Sequence, residues 1–84
     1  MSVTGITWQP KSGQSLDTDG NIVDVARALE KAFGKFPIEL KFDDVHILLG
    51  LSAYYSANHG DDNNPFQQLI DAVNVHDNIR LETW

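Results

Sequence analysis

His59-Gly60-Asp61-Asp62-Asn63 gathers an imidazole and two carboxylates within one turn of chain. Imidazole nitrogen and carboxylate oxygen ligate zinc and also serve as general acids and bases. The segment could therefore hold a metal ion or assist a hydrolysis, and a metal-dependent protein or small enzyme using His59, Asp61 and Asp62 is the alternative function. A further histidine ligand is hard to supply. His46 precedes His59 by thirteen residues on one predicted helix, nearly four turns away. His76 would reach His59 only if the last two helices finished side by side. A simple hairpin instead sets the end of one helix beside the start of the next. The plainer reading is a polar loop that follows a helix-ending histidine, with no bound metal.

Two other constellations invite chemistry and meet the same objection. Ser52, Ser56 and His59 fall within one arc of a helix, the arrangement of a nucleophile and its base, with Asp61 or Asp62 to orient the imidazole. A seryl nucleophile needs an exposed, strained position and oxyanion donors, and a serine among leucines and tyrosines has neither. Ser15-Leu-Asp17-Thr-Asp19-Gly20-Asn21-Ile22 matches part of a calcium loop if Gly20 is its turn glycine. Ser15 then stands where the first carboxylate belongs, and Ala26 where a bidentate carboxylate must be. An Asp-Gly turn leading into a helix cap accounts for the segment. Gly-x-Ser-x-Gly, P-loop and dinucleotide-binding patterns are absent. No cofactor is expected and no catalytic residue is assigned.

Charge gives the one functional direction. Lys11, Arg27, Lys31, Lys35 and Lys41 balance Asp17, Asp19, Asp24, Glu30 and Glu39 in residues 1–42. Residues 43–84 set Arg80 alone against Asp43, Asp44, Asp61, Asp62, Asp71, Asp77 and Glu82. From Phe42 to Ile79 there is no lysine or arginine, yet all three histidines lie there. Such a surface repels phosphate and attracts a basic partner. Arg27, Lys31 and Lys35 form a short basic stripe, but a net charge of −6 and a pI near 4.6 exclude nucleic acid as the partner. Carboxylates around exposed aromatics are what a tight binder of a basic protein uses. The expected function is a small acidic, non-enzymatic interaction module, an inhibitor or adaptor docking on a basic protein. Its expected contact residues are Asp61, Asp62 and His59, with Tyr54 or Tyr55 as the aromatic anchor and Asp43 and Asp44 contributing charge. Gly50, Ala53 and Ala57 make a stripe of small residues through which a homodimer could form.

The elements that carry these residues follow from spacing. Val3–Trp8 reads as a strand with a bulge at Gly5, and residues 9–20 as a long polar loop. Asn21 caps a helix whose Ile22, Val25, Ala26, Leu29, Ala32 and Phe33 share one side, and Gly34 ends it. Phe36, Ile38, Leu40 and Phe42 alternate with Pro37, Glu39 and Lys41, the pattern of a half-buried strand. Asp43 or Asp44 caps a second helix, to about His59, that bears no charge. Apolar nearly all round, it is expected to be a central core helix or an oligomer surface. Asn64–Pro65 opens a third helix with Phe66, Leu69, Ile70 and Val73 on one face. Ile79–Trp84 is the last strand.

The last two strands, Ile-Glu-Leu-Lys-Phe and Ile-Arg-Leu-Glu-Thr-Trp, pair well in parallel. Glu39 then faces Arg80, and Lys41 faces Glu82. Antiparallel with Leu40 opposite Leu81, both matches become like-charge clashes, though another antiparallel register restores Glu39 with Arg80. The long connection between them suits parallel pairing. The expected fold is therefore α/β, with α+β as the alternative: β-α-β-α-α-β, a small three-stranded sheet packed against three helices. The 84 residues, 42% of them hydrophobic, are expected to form one domain, residues 1–84, held by its core because there is no cysteine. Met1–Pro10 lacks the basic start and apolar run of a secretory signal, and no segment is apolar enough for a bilayer. A cytoplasmic protein without membrane contact is expected. Three histidines in the acidic half imply association that changes near about pH 6. A binding titration that stays flat through this range would dismiss that expectation.

Overall fold

In the computed structural model, which describes residues 3–9, 16–18, 20–60 and 63–84, three helices cover one face of a three-stranded antiparallel sheet. The order along the chain is β1 (Ile6–Gln9), α1 (Ile22–Phe33), β2 (Ile38–Lys41), a single 3-10 turn (Phe42–Asp44), α2 (Val45–His59), α3 (Pro65–His76) and β3 (Asn78–Thr83). The fold is mixed α+β, with the elements in the order that the sequence implies.

Punctuation sets the helices. Asn21 precedes α1, and Gly34 ends it at a φ of 100°, its amide donating to the Glu30 carbonyl. Gly60 ends α2 at a φ of 84°. Pro65 supplies the first residue of α3, where a missing amide proton costs nothing. The Asn64 side chain caps that helix, its Oδ1 accepting from the amides of Phe66 and Gln67. Asp77 ends α3 at a φ of 67° and turns the chain into β3.

The strand orientation differs from the expected one. β3 lies in the centre, antiparallel to both β1 and β2. The reason is the parity of the connections. α1 alone carries the chain back across the sheet, so β1 and β2 run parallel with β3 between them. α2 and α3 carry it out and back, about 22 Å and 18 Å in turn. The chain re-enters the sheet at the end it left, with Asn78 opposite Lys41. A long connection permits parallel pairing but does not require it. The register sets Glu39 opposite Arg80 and Lys41 opposite Asn78, so the antiparallel alternative that kept the first charge match is the one adopted. Arg80 pairs with Glu82 on its own strand, Nε to Oε1 at 3.7 Å.

Partners directly opposite in an antiparallel pair share a face. Ile6, Trp8, Ile38, Leu40, Ile79 and Leu81 point to the helices, while Gln9, Glu39, Lys41, Arg80 and Glu82 are exposed on the other side. The amides of Thr4 and Gly5 both donate to the Trp84 carbonyl, the two-against-one pattern of a bulge at the expected place. Phe42 departs from its expected alternation. The strand stops at Lys41, and in the 3-10 turn that follows Phe42 is 65% exposed.

The central helix is α3, not α2. Phe66, Leu69, Ile70, Ala72 and Val73 are all buried, and they join Leu29, Leu40, Ile79 and Leu81 in one cluster. α2 buries only Leu48 and Tyr55. It rests on α3 with one side and shows the other to solvent.

The two helices are fastened by Asn64, itself buried. Its Nδ2 lies 3.0 Å from the Ser52 carbonyl, the Ser52 hydroxyl and the Ser56 hydroxyl. Asn64→Ala is expected to cost about 2 kcal/mol in denaturant unfolding, the sum of a lost cap and a lost interhelical bridge. Asn64→Ser, which keeps a cap acceptor, should recover about half of that.

Candidate functional site

The residues of α2 that turn towards α1 are Leu51, Tyr54, Tyr55 and Asn58, spaced as one helical row. α1 opposes them with Asp24, Val25 and Ala28, and the buried Phe66 of α3 also lines the space. Between the helices lies a groove of about 400 Å³. Val25, Ala28, Leu51 and Phe66 make its floor apolar. Asp24, Tyr54, Asn58 and His59 stand exposed at its rim.

Tyr55 sets the depth of this groove. Its ring lies under His59, with centroids 4.5 Å apart, and meets the Phe66 ring edge-on at 5.9 Å. Its hydroxyl donates to the Thr18 carbonyl at 3.3 Å and accepts from Asn21 Nδ2 at 3.1 Å. The segment leading into α1 is thereby anchored to α2. Leu16 and Thr18 are buried with it, and the Leu16 amide donates to the Ile6 carbonyl. Part of the long polar loop is thus packed structure.

The expected contact residues divide. Tyr54, 73% exposed, and His59 both rim the groove. Tyr55 is only 6% exposed and is not available as a surface anchor. Asp43 and Asp44 sit at the opposite end of the 15-residue α2, about 22 Å from His59. Asp44 is occupied locally, its Oδ2 accepting from the Lys41 amide at 2.8 Å. Asp61 and Asp62 lie outside the described residues. Gly50, Ala53 and Ala57 are exposed on the outer side of α2.

The other constellations are engaged in packing where the structure describes them. Ser52 and Ser56 hold Asn64, and His59 stacks on Tyr55, so the arc of three residues serves the helix hairpin. His76 packs against Trp8 with centroids 5.4 Å apart, at the far end of the hairpin from His59. Of the calcium-like segment, Ser15 and Asp19 lie outside the described residues. The Asp17 carbonyl accepts from Gln68 Nε2, and Asn21 is bound to Tyr55. Among the described residues no group of three or more His, Asp or Glu side chains could hold a metal ion. Arg27 and Lys31 are exposed on α1, and Lys35 is exposed just past the Gly34 that ends it, so the expected stripe is not a single helix face.

Sequence reasoning missed Asp24 and Asn58 as rim residues. Asp24 reads locally as a first-turn acid of α1, and only the packing of α1 beside α2 brings it to Tyr54. Charge at the rim is one-sided: Asp24 is the formal charge among the described lining residues, and none of them is lysine or arginine. The last turn of α2 adds the negative end of its dipole beside His59.

These features define a small α+β fold with a groove that carries one carboxylate, Asp24, at its rim. The chain matches no family model, no curated protein and no solved structure. No helix among the described residues is long and apolar enough to cross a membrane.

Tyr55→Phe removes the hydroxyl but keeps the ring. It is expected to lower stability by about 1 kcal/mol and to speed amide hydrogen exchange selectively at Leu16 and Asn21, the anchored segment.

Proposed function

We propose that this chain is a non-catalytic interaction module, an inhibitor or adaptor, that docks on a basic protein by taking a lysine or arginine side chain into the groove between α1 and α2. The groove itself carries this reading. Its apolar floor suits the aliphatic stem of a long basic side chain, which gains by burying its methylenes while its head stays polar. The Asp24 carboxylate, the C-terminal carbonyls of α2 and the exposed Tyr54 ring suit the cationic head, through charge, dipole and cation–π attraction. Asp61 and Asp62 follow His59 in the sequence after Gly60 and carry two further negative charges. The lysine-free and arginine-free run from Phe42 to Ile79 would steer a basic partner towards this side.

We further propose the cytoplasm as its place of action. A domain held by packing alone, with no cysteine, is suited to a reducing compartment.

The test is co-purification with tagged protein from the native host at low salt, followed by association kinetics with the captured protein. A stoichiometric basic partner that dissociates as salt rises is expected. Asp24→Lys, and the pair Asp61→Lys with Asp62→Lys, should each slow association by about tenfold or more, because charges at a rim act on encounter. Association rates equal to wild type in all these variants would rule the groove out as the docking site.

A further inference from the structure

We propose that a trough along α3 binds a neutral, extended oligosaccharide. Asn64, Gln68, Asp71 and Val75 follow one another at steps of four, three and four, with Gln67 and His76 beside them, so they form a single stripe on that helix. Two open hollows lie on this stripe, of about 510 and 310 Å³, and Gln68 and Asp71 line both. Ser52 and Ser56 of α2 wall the first together with Asp17, and Trp8 of β1 walls the second. The stripe runs the length of α3, about 18 Å. It shares no lining residue with the groove between α1 and α2.

The lining selects the chemistry of the ligand. The described residues of the trough include two carboxylates, Asp17 and Asp71, and no lysine or arginine, so a phosphate or other anion is repelled. Among the described residues no group of acidic or histidine side chains could hold a metal ion. Serine hydroxyls and side-chain amides make up most of the first hollow. Such groups suit a ligand rich in hydroxyls, because each hydroxyl both donates and accepts.

These polar groups are also held in place. Gln67 Nε2 donates to Asp71 Oδ1 at 3.1 Å, and Gln68 Nε2 donates to the Asp17 carbonyl at 2.9 Å. A side-chain amide carries a second proton and an accepting oxygen, and a carboxylate carries a second oxygen. Gln67, Gln68 and Asp71 therefore keep groups of both kinds for a ligand while their side chains are already braced. Bracing of this sort lowers the ordering cost of binding.

Trp8 supplies the apolar element. It is half-buried, and its ring packs against His76 in the same hollow as Gln68 and Asp71. A pyranose ring has a face of C–H bonds and hydroxyls around its edge. Its hydrogens are attracted to the negative face of an indole, and its hydroxyls make strong hydrogen bonds to a carboxylate. A peptide would need pockets for its alternate side chains, and beyond Trp8 the trough offers only Ala72 and Val75 as apolar lining. A trough that follows a helix takes an extended chain. Equatorially linked pyranoses, as in fragments of cellulose or chitin, are extended, whereas amylose fragments curl.

The test is an NMR titration of isotope-labelled protein with cellotetraose and with chitotetraose, each to about 10 mM. At least one of them should shift the Trp8 indole signal and the side-chain amides of Gln67 and Gln68 saturably, with a Kd of about 1 mM or below. The indole of Trp84, which does not line the trough, should stay fixed. Gln67→Ala and Asp71→Ala, both at exposed positions, should each weaken binding about tenfold and leave the melting temperature near the wild-type value. Equal shifts from maltotetraose, which curls, or from spermidine, which reads only the carboxylates, would overturn the proposal. So would the absence of a saturable shift with both extended sugars, or a Kd that neither variant changes.

Discussion

One buried amide holds α2 and α3 together. Asn64 has partners on both helices that meet at it: two amides of the helix it caps, and the carbonyl and hydroxyls of Ser52 and Ser56 on the helix before. Buried polar groups are costly when unpaired and rigid when fully paired. This one therefore does more than start α3. It fixes how α3 leaves α2, and with it where Phe66 lands under Tyr55 and which side of α2 faces outward. The groove and the exposed face of α2 are the two sides of a helix whose rotation this hairpin sets.

Local features of the fold were legible because local chemistry decides them. Asn64–Pro65, Gly34 and Gly60 mark helix boundaries through capping and backbone conformation, and the structure puts the boundaries there. The alternation in Ile38–Lys41 and Ile79–Leu81 likewise gave the correct buried faces. Strand direction was not legible. The Glu39–Arg80 match is available in parallel and in one antiparallel register, so side-chain pairing does not choose between them. What chooses is that two helices of similar length return the chain to its starting end, a property of the connection and not of the strands.

The site was legible in part for a related reason. An amphipathic helix declares its buried side, but α2 is apolar nearly all round and declares none. Tyr54 and Tyr55 are adjacent, about 100° apart on the helix, and equivalent in sequence terms. The hydroxyl of one lies beneath the surface bound to Thr18 and Asn21, and the other stands in solvent. The same missing phase explains why α2 was a candidate for the central helix, while the better-patterned α3 took that place. Asp24 belongs to a different element, and nothing near it in the chain points to Tyr54.

The sheet order also has a consequence in time. β1 and β2 are not neighbours in the sheet; each pairs with β3, which follows both in the chain. A ribosome making this protein releases both outer strands, and all three helices, before the strand that joins them. Until then two strand edges lack their ladder partner, and unpaired edges template the wrong pairing between nascent chains. At about 5–20 residues per second, the interval between β2 and β3 lasts on the order of seconds. Helices form far faster than that, within microseconds once a turn is nucleated. The α2–α3 hairpin can therefore be waiting as a preformed apolar surface when β3 emerges, and translation itself sets the moment at which the sheet closes.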